Sequence, residues 1–199
     1  MNLGIRGKVA LVTASSGGMG RNIAHALAAE GVDIVLFART AEKLAAVARE
    51  IESKHGVRTL AVSGDMLVHA DVERLAAAVK TFGGPDILVL NTGRAPNPLR
   101  ATLDETEEAR WQQAYQNQLW SVIQVACSAV PLMLERGWGR IIAITSASAK
   151  EPMPRHALST VFRAGVTTYM KHLANEVGGK GITVNCVAPA LIEIGRAHV

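Results

Sequence analysis

Three groups of residues in this chain have the types and spacing that chemistry needs. The first is the run Thr13-Ala14-Ser15-Ser16-Gly17-Gly18-Met19-Gly20-Arg21, which follows an apolar segment and opens a helical pattern. A glycine-rich turn between a strand and a helix N-terminus suits a pyrophosphate: backbone N–H groups and the helix dipole face the anion, and missing side chains let it approach. Any tight strand-to-helix turn can be rich in glycine, so the flanking strand and helix carry this reading. The second is Leu36-Phe37-Ala38-Arg39-Thr40, with no acidic residue between Asp33 and Glu42. An acid at the end of this second strand would accept hydrogen bonds from the ribose of NAD, whereas an arginine can neutralise the extra phosphate of NADP. NADP(H) is therefore the expected cofactor and NAD(H) the alternative. The third is a pair of polar groups on apolar helical stripes. Gln118 recurs with Trp111, Tyr115, Val122, Val125 and Ala129, and Arg163 with Ser159, Val166, Met170 and Leu173. A polar group on a buried stripe is costly without partners. Either Gln118 finds a backbone partner and Arg163 snorkels or pairs with a carboxylate, or both face a ligand.

The elements that must position these groups are legible as an alternation. Near-continuous apolar runs at 8–13, 32–38, 57–63, 86–91, 139–146 and 182–188 read as strands buried on both faces. Helix-length segments fill the gaps, among them an amphipathic one from Ala41 to Gly56 and a long one from Trp111 to Gly137. Six such units imply an α/β fold: one doubly wound parallel sheet, because right-handed crossovers place helices on both faces. Linkers, repeats and low-complexity segments are absent from the sequence, so residues 1–199 read as one Rossmann-type domain.

Composition agrees. Of 199 residues, 49% are hydrophobic and 4% aromatic, the aliphatic balance that a covered parallel sheet needs. The formal charge of +4 comes from scattered basic residues without aromatic interleaving, which argues against a nucleic-acid partner. Cys127 and Cys186 lie far apart and read as two small buried side chains in a reducing, cytoplasmic setting. The six histidines form no metal-ligand pattern; His172 and Glu176, four apart, read as a surface pair, so no metal is expected. The apolar N-terminal stretch is too short for a signal peptide, and no later segment reads as long enough to span a membrane.

The chain resembles the short-chain dehydrogenase/reductase family along its whole length. Its first turn is similar to the family's Thr-Gly-x-x-x-Gly-x-Gly at Thr13, Gly18 and Gly20, with Ala14 in place of the first glycine. Asp65-Met66, Leu90-Asn91-Thr92-Gly93, Val184-Asn185 and Pro189-Ala190 follow in the family's order. The resemblance implies a nucleotide held by Thr13, Ser15, Ser16, Gly18, Met19, Gly20 and Arg39, by Asp65 and Met66 at the adenine, and by Asn91, Thr92, Gly93, Arg163 and Pro189.

It also implies four catalytic positions, of which one is retained. Ser146 matches the serine that polarises the carbonyl; thirteen residues on, Ser159 stands in place of the tyrosine, and four beyond it Arg163 replaces the lysine. The neighbouring Ala164-Gly165-Val166 supports that register, and Gln118, with Asn117 beside it, stands where the asparagine belongs. A phenol titrates near 10 and becomes a usable acid beside a cation, whereas a serine hydroxyl has no comparable acidity and leaves a gap that water can fill. Arginine still offers hydrogen bonds and a fixed charge to ribose hydroxyls. The missing part is the proton donor. His156, three positions before Ser159, has the right ordinary pKa, while Lys150 and Glu151 occupy the loop after Ser146; all three also read as plain loop residues. Neither Tyr115 nor Tyr169 is placed to substitute.

The resemblance thus implies an NADP(H)-dependent oxidoreductase that reduces a carbonyl or oxidises an alcohol, similar to the beta-ketoacyl carrier-protein reductases. The rival expectation is a nucleotide-binding protein without catalysis, acting as a sensor or an oligomer subunit. The helices around Trp111–Arg136 and Arg155–Gly178 would form the interface of a homotetramer or dimer. The resemblance implies a lid helix and a further strand past the Pro189 position; either this part lies beyond Val199, the favoured expectation because an open edge beside the sixth strand would expose unpaired backbone, or the substrate lid is absent.

Overall fold

A computed structural model describes residues 2–190 of the chain. Six strands, β1 (Val9–Thr13), β2 (Asp33–Ala38), β3 (Thr59–Ser63), β4 (Ile87–Leu90), β5 (Gly139–Ile144) and β6 (Ile182–Val187), pair in parallel in the order β3-β2-β1-β4-β5-β6. The winding reverses between β1 and β4, and the C-terminal ends of these two strands open a crevice where such sheets take ligands.

Alternation along β1 shows how the sheet divides the core. Val9 and Leu11 point into one layer with Val72, Leu75 and Val79 of α3 (His69–Phe82), the inner residues of α5 (Ser121–Arg136), and Val166 and Met170 of α6 (Ala157–Val177). Ala10 and Val12 point into the other, with Ala24 and Ala28 of α1 (Gly18–Ala29) and Leu44, Val47 and Ile51 of α2 (Ala41–His55). Each large aliphatic side chain so buried contributes roughly 1.5–3 kcal/mol. The α2 helix stops at Gly56, whose left-handed φ of 67° a side chain would resist.

Several expectations need correction. β6 is an edge strand in the described residues and is half open: Thr183, Asn185 and Val187 are exposed, so its apolar run does not mean burial on both faces. The long fourth helical segment is interrupted. α4 (Glu108–Tyr115) passes into a π-helical turn, Gln116–Trp120, before α5 begins. Together Glu108–Arg136 spans 29 residues with a mean hydropathy of 1.2 in its most apolar window, long and apolar enough to cross a membrane by those two measures. Here its apolar stripe packs on the sheet. The cysteines are not both buried: Cys127 is exposed on the outer side of α5, and Cys186 is half-buried on β6. His172 and Glu176 are both exposed, in keeping with a place on the surface. The expected lid and last strand lie outside the described residues.

Candidate cofactor and catalytic site

The glycine-rich turn is built around two close approaches. A Cβ on Gly20 would fall on the Ala14 carbonyl and 3.0 Å from Asn91 Nδ2, so only glycine lets α1 start this close to β1. Ala14, where the family turn has glycine, adopts a left-handed φ of 48°, a conformation that costs a side-chain-bearing residue roughly 1–2 kcal/mol. No side chain caps the α1 N-terminus and no acid stands in its first turn, which leaves its N–H groups to an anion.

Thr13 and Ser15 brace this turn. Thr13 Oγ1 donates to the Asn91 carbonyl (2.6 Å) and accepts from Asn91 N–H (2.9 Å), joining the ends of β1 and β4. Ser15 Oγ accepts from Phe37 N–H (3.0 Å), joining β1 to β2. Both residues are fully buried, so these hydroxyls shape the turn from behind and do not reach a ligand directly.

Beside the turn lies a cleft of about 420 Å³, bounded by Ser16, Arg39, Asp65, Met66 and Gly93 of the expected set. Thr40, Lys43, Leu67, Arg94, Asn117 and Ser121 line it too, and of these only Asn117 was within reach of sequence reasoning, as the neighbour of Gln118. Arg39 and Lys43 flank the start of α2, whose N-cap Thr40 makes no side-chain cap. Arg39, Lys43 and Arg94 form no ion pair with a described residue, whereas Arg21, Arg58 and Arg110 all do. Three uncompensated cations on the walls of one cleft favour a polyanionic occupant. Asp65 Oδ1 accepts from Leu67 N–H (3.0 Å), and the Met66 carbonyl accepts from Gln124 Nε2 (3.0 Å), which fixes the far wall.

On the other side of the crevice stand the catalytic candidates. Arg163 is buried, and its guanidinium donates to the Ile144 carbonyl (2.9 Å) at the end of β5 and to the Gly93 carbonyl (3.0 Å) just after β4. It neither snorkels nor pairs with a described carboxylate, and burial pushes its pKa down to about 10. Ser146 caps the 3-10 turn Ala147–Ala149, its Oγ accepting from Ser148 N–H (3.2 Å) and lying 3.0 Å from Ser148 Oγ. Ala147 N–H donates to the Pro189 carbonyl (2.9 Å), so Pro189 ties this turn to the segment after β6. Gln118 is wholly buried in the π-helical turn, and among the described residues both ends of its amide lack a partner, as does Thr160 Oγ1. The backbone partner expected for Gln118 is not found among the described residues. Its neighbour Asn117 is the one that lines the cleft.

Ser159 is half-buried one turn before Arg163, and no phenol stands in for the missing tyrosine. Tyr115 stacks on Trp120, and Tyr169 lies 3.8 Å from Cys127 Sγ, with its pKa raised by burial. His156 Nδ1 bonds to the Pro154 carbonyl (2.7 Å), which leaves Nε2 as its free nitrogen, and Arg155 before it has a left-handed φ of 61°. Lys150 and Glu151 are exposed. Of the remaining expected contacts, Gly18 and Met19 belong to the first turn of α1, and Thr92 Oγ1 donates to the Gly93 carbonyl (3.3 Å).

A family model described as short chain dehydrogenase matches residues 8–197. The chain belongs to the short-chain dehydrogenase/reductase family. A 3-oxoacyl-[acyl-carrier-protein] reductase of Aquifex aeolicus is 30% identical over 200 residues, covering 100% of this chain and 79% of that protein. The L-sorbose reductase of Gluconobacter frateurii, solved with NADPH and L-sorbose, superposes with a TM-score of 0.92 at 38% identity, covering 98% of this chain and 73% of that one. A single-site variant of actinorhodin polyketide ketoreductase, solved with NADPH, gives a TM-score of 0.86 at 33% identity, covering 94% of this chain and 71% of that one. Membership in this family agrees with the strand order and with the crevice at the β1–β4 reversal.

Proposed function

We propose that this short-chain dehydrogenase/reductase binds NADP(H) and reduces a carbonyl group on a small molecule, with a ketoacyl compound or a keto sugar as the substrate class. The observation that carries the cofactor choice is the pair Arg39 and Lys43, both without a carboxylate partner among the described residues, flanking the open N-terminus of α2 on the cleft wall. The residues present fit a dinucleotide: Gly20 admits the close approach, α1 offers uncapped N–H groups, and the cleft has room for the adenosine end. NADP(H) when bound supplies the hydride chemistry. The chain's own residues bind, orient and protonate. Arg39 and Lys43 would neutralise the 2′-phosphate, Asp65 and Met66 would border the adenine, and Asn91, Thr92 and Gly93 would lie along the ribose. Arg163 would hold the nicotinamide ribose through the N–H groups it does not spend on Ile144 and Gly93. Ser146 would hydrogen-bond the carbonyl oxygen, Ser159 with a water would occupy the tyrosine's place, and Gln118 would serve that water through its unpartnered amide.

A second reading, a nucleotide-binding member that does not turn over, is favoured by one observation: both tyrosines are engaged elsewhere, and Ser159 has no acid's chemistry. Under either reading the protein is proposed to act in the cytoplasm as a homo-oligomer. NADPH oxidation with a panel of ketones and ketoacyl thioesters separates the two. Turnover supports the reductase, and the Ser159→Tyr, Arg163→Lys double variant should raise it. A silent wild type with an equally silent double variant would leave only the binding role.

A further inference from the structure

Burial decides which way the proton points between Ser146 and Ser148. The Ser148 side chain is wholly buried, and its hydroxyl has one partner among the described residues, Ser146 Oγ at 3.0 Å. Two arrangements of the shared proton satisfy the distance. If Ser146 donated, the Ser148 proton would be left in the interior without an acceptor, and a buried donor with no partner forfeits its hydration with nothing in return. If Ser148 donates, every group is satisfied. Ser146 Oγ then accepts twice, from Ser148 N–H at 3.2 Å and from Ser148 Oγ–H, and both of its lone pairs are spent. The one polar capacity left to Ser146 is its own proton, on a side chain that is half-buried.

We propose that Ser148 is a positioning residue that makes Ser146 a one-way hydrogen-bond donor, so that the site selects a ligand presenting a bare oxygen acceptor; its functional half rests on the carbonyl-reductase reading above. A ketone oxygen meets that demand with no proton of its own to relocate. An alcohol meets it only by turning its hydroxyl proton elsewhere, and a group that can only donate is rejected. The arrangement also bears on the missing tyrosine, since a donor that cannot rotate away polarises the carbonyl without the reorientation a free serine would need.

This geometry is held without help from the Ser148 hydroxyl. Thr145 N–H donates to the Val187 carbonyl (2.8 Å), Ala147 N–H to Pro189 (2.9 Å) and Ala149 N–H to Ser146 (3.0 Å). Ser148→Ala therefore keeps the turn and removes one donor.

Two measurements test the proposal. Neutron diffraction from crystals exchanged into D2O should place a deuteron on Ser148 Oγ along the line to Ser146 Oγ; a Ser146 deuteron directed at Ser148 overturns the proposal. In turnover, Ser148→Ala should lower kcat about tenfold at unchanged KM, the equivalent of one hydrogen bond. Ser148→Thr, which keeps the hydroxyl, should restore it, and Ser146→Ala with Ser148→Ala should be no worse than Ser146→Ala alone. Additive losses, or a fall in thermal stability that Ser148→Thr shares, would mean that Ser148 merely supports the turn. If the wild type turns over no carbonyl, the reductase reading falls, and the neutron map alone decides the proton's direction.

Discussion

Replacing Arg163 with methionine should make the protein more stable and a poorer binder of its cofactor. The side chain is buried and its guanidinium faces backbone carbonyls with no described anion nearby. Burial pushes its pKa down from the ordinary guanidinium value to about 10, which at 1.36 kcal/mol per pH unit is about 3 kcal/mol against the charged form. The folded state releases this proton more readily, so at neutral pH, where both states are charged, the cost is fully present, and it declines only as pH rises above about 10. Methionine removes that cost and fills similar space. It strips the donor from the buried Ile144 carbonyl, a loss of about 1–2 kcal/mol, whereas the exposed Gly93 carbonyl can turn to water. The net gain is about 1 kcal/mol, a rise of roughly 2–4 °C in Tm for a chain of this size. NADPH affinity, followed by fluorescence, should fall at least about tenfold, because a hydrogen bond from a charged donor contributes about 1.5–3 kcal/mol. A variant that melts lower than the wild type would refute the energetic reasoning. Unchanged NADPH affinity would refute the assignment of Arg163 to the ribose.

Three further outcomes are expected. Gly20→Ala drives a methyl into the Ala14 carbonyl and should cost about 1–3 kcal/mol in thermal denaturation, with NADPH binding lost along with the turn; a variant that binds normally contradicts the close approach. If His156, as the imidazolium with Nδ1–H held by the Pro154 carbonyl, gives up from Nε2 the proton that Ser159 cannot, His156→Ala should abolish turnover while NADPH binding stays intact; undiminished turnover excludes it. The pKa of His25 is lowered by burial and by Arg21, His55 and Lys54, against an opposing pull from Glu50. The unfolded chain therefore binds this proton more tightly, and stability should fall as pH drops through 6.5. Denaturant titrations at about pH 7.5 and 5.5 should show a smaller fall in His25→Asn than in the wild type, and equal falls would assign the effect elsewhere.

What the sequence revealed and what it hid divide along a physical line. The six strands were legible because a parallel sheet's strands are continuous aliphatic runs, and turn residues end them close to the observed bounds. The half-open face of β6 was not, since the same run, Ile-Thr-Val-Asn-Cys-Val, serves an edge or a centre depending on its neighbours. Arg39 could be read from its place after a strand. Lys43 and Arg94 could not, because only the fold brings the first turn of α2 and the segment after β4 to one cleft. Arg163 was visible as a charge on an apolar stripe, yet its two anchors lie 19 and 70 residues away. The π-helical turn left no mark in the periodicity, and it is what sets Asn117 on the cleft beside a wholly buried Gln118. Ser146 was read from the sequence, but Ser148 two residues on was not, because its part depends on its being buried.

The central claim is an NADP(H) site built on Arg39 and Lys43 at the start of α2. Fluorescence titration of the wild type and of the Arg39→Ala, Lys43→Ala double variant with NADPH and with NADH tests it most directly. Two charge-assisted contacts to a phosphate predict that the wild type prefers NADPH by at least about tenfold, that added salt erodes the preference, and that the double variant loses it while NADH binding stays within about twofold. Equal affinity of the wild type for both nucleotides, or equal losses for both in the variant, would contradict it.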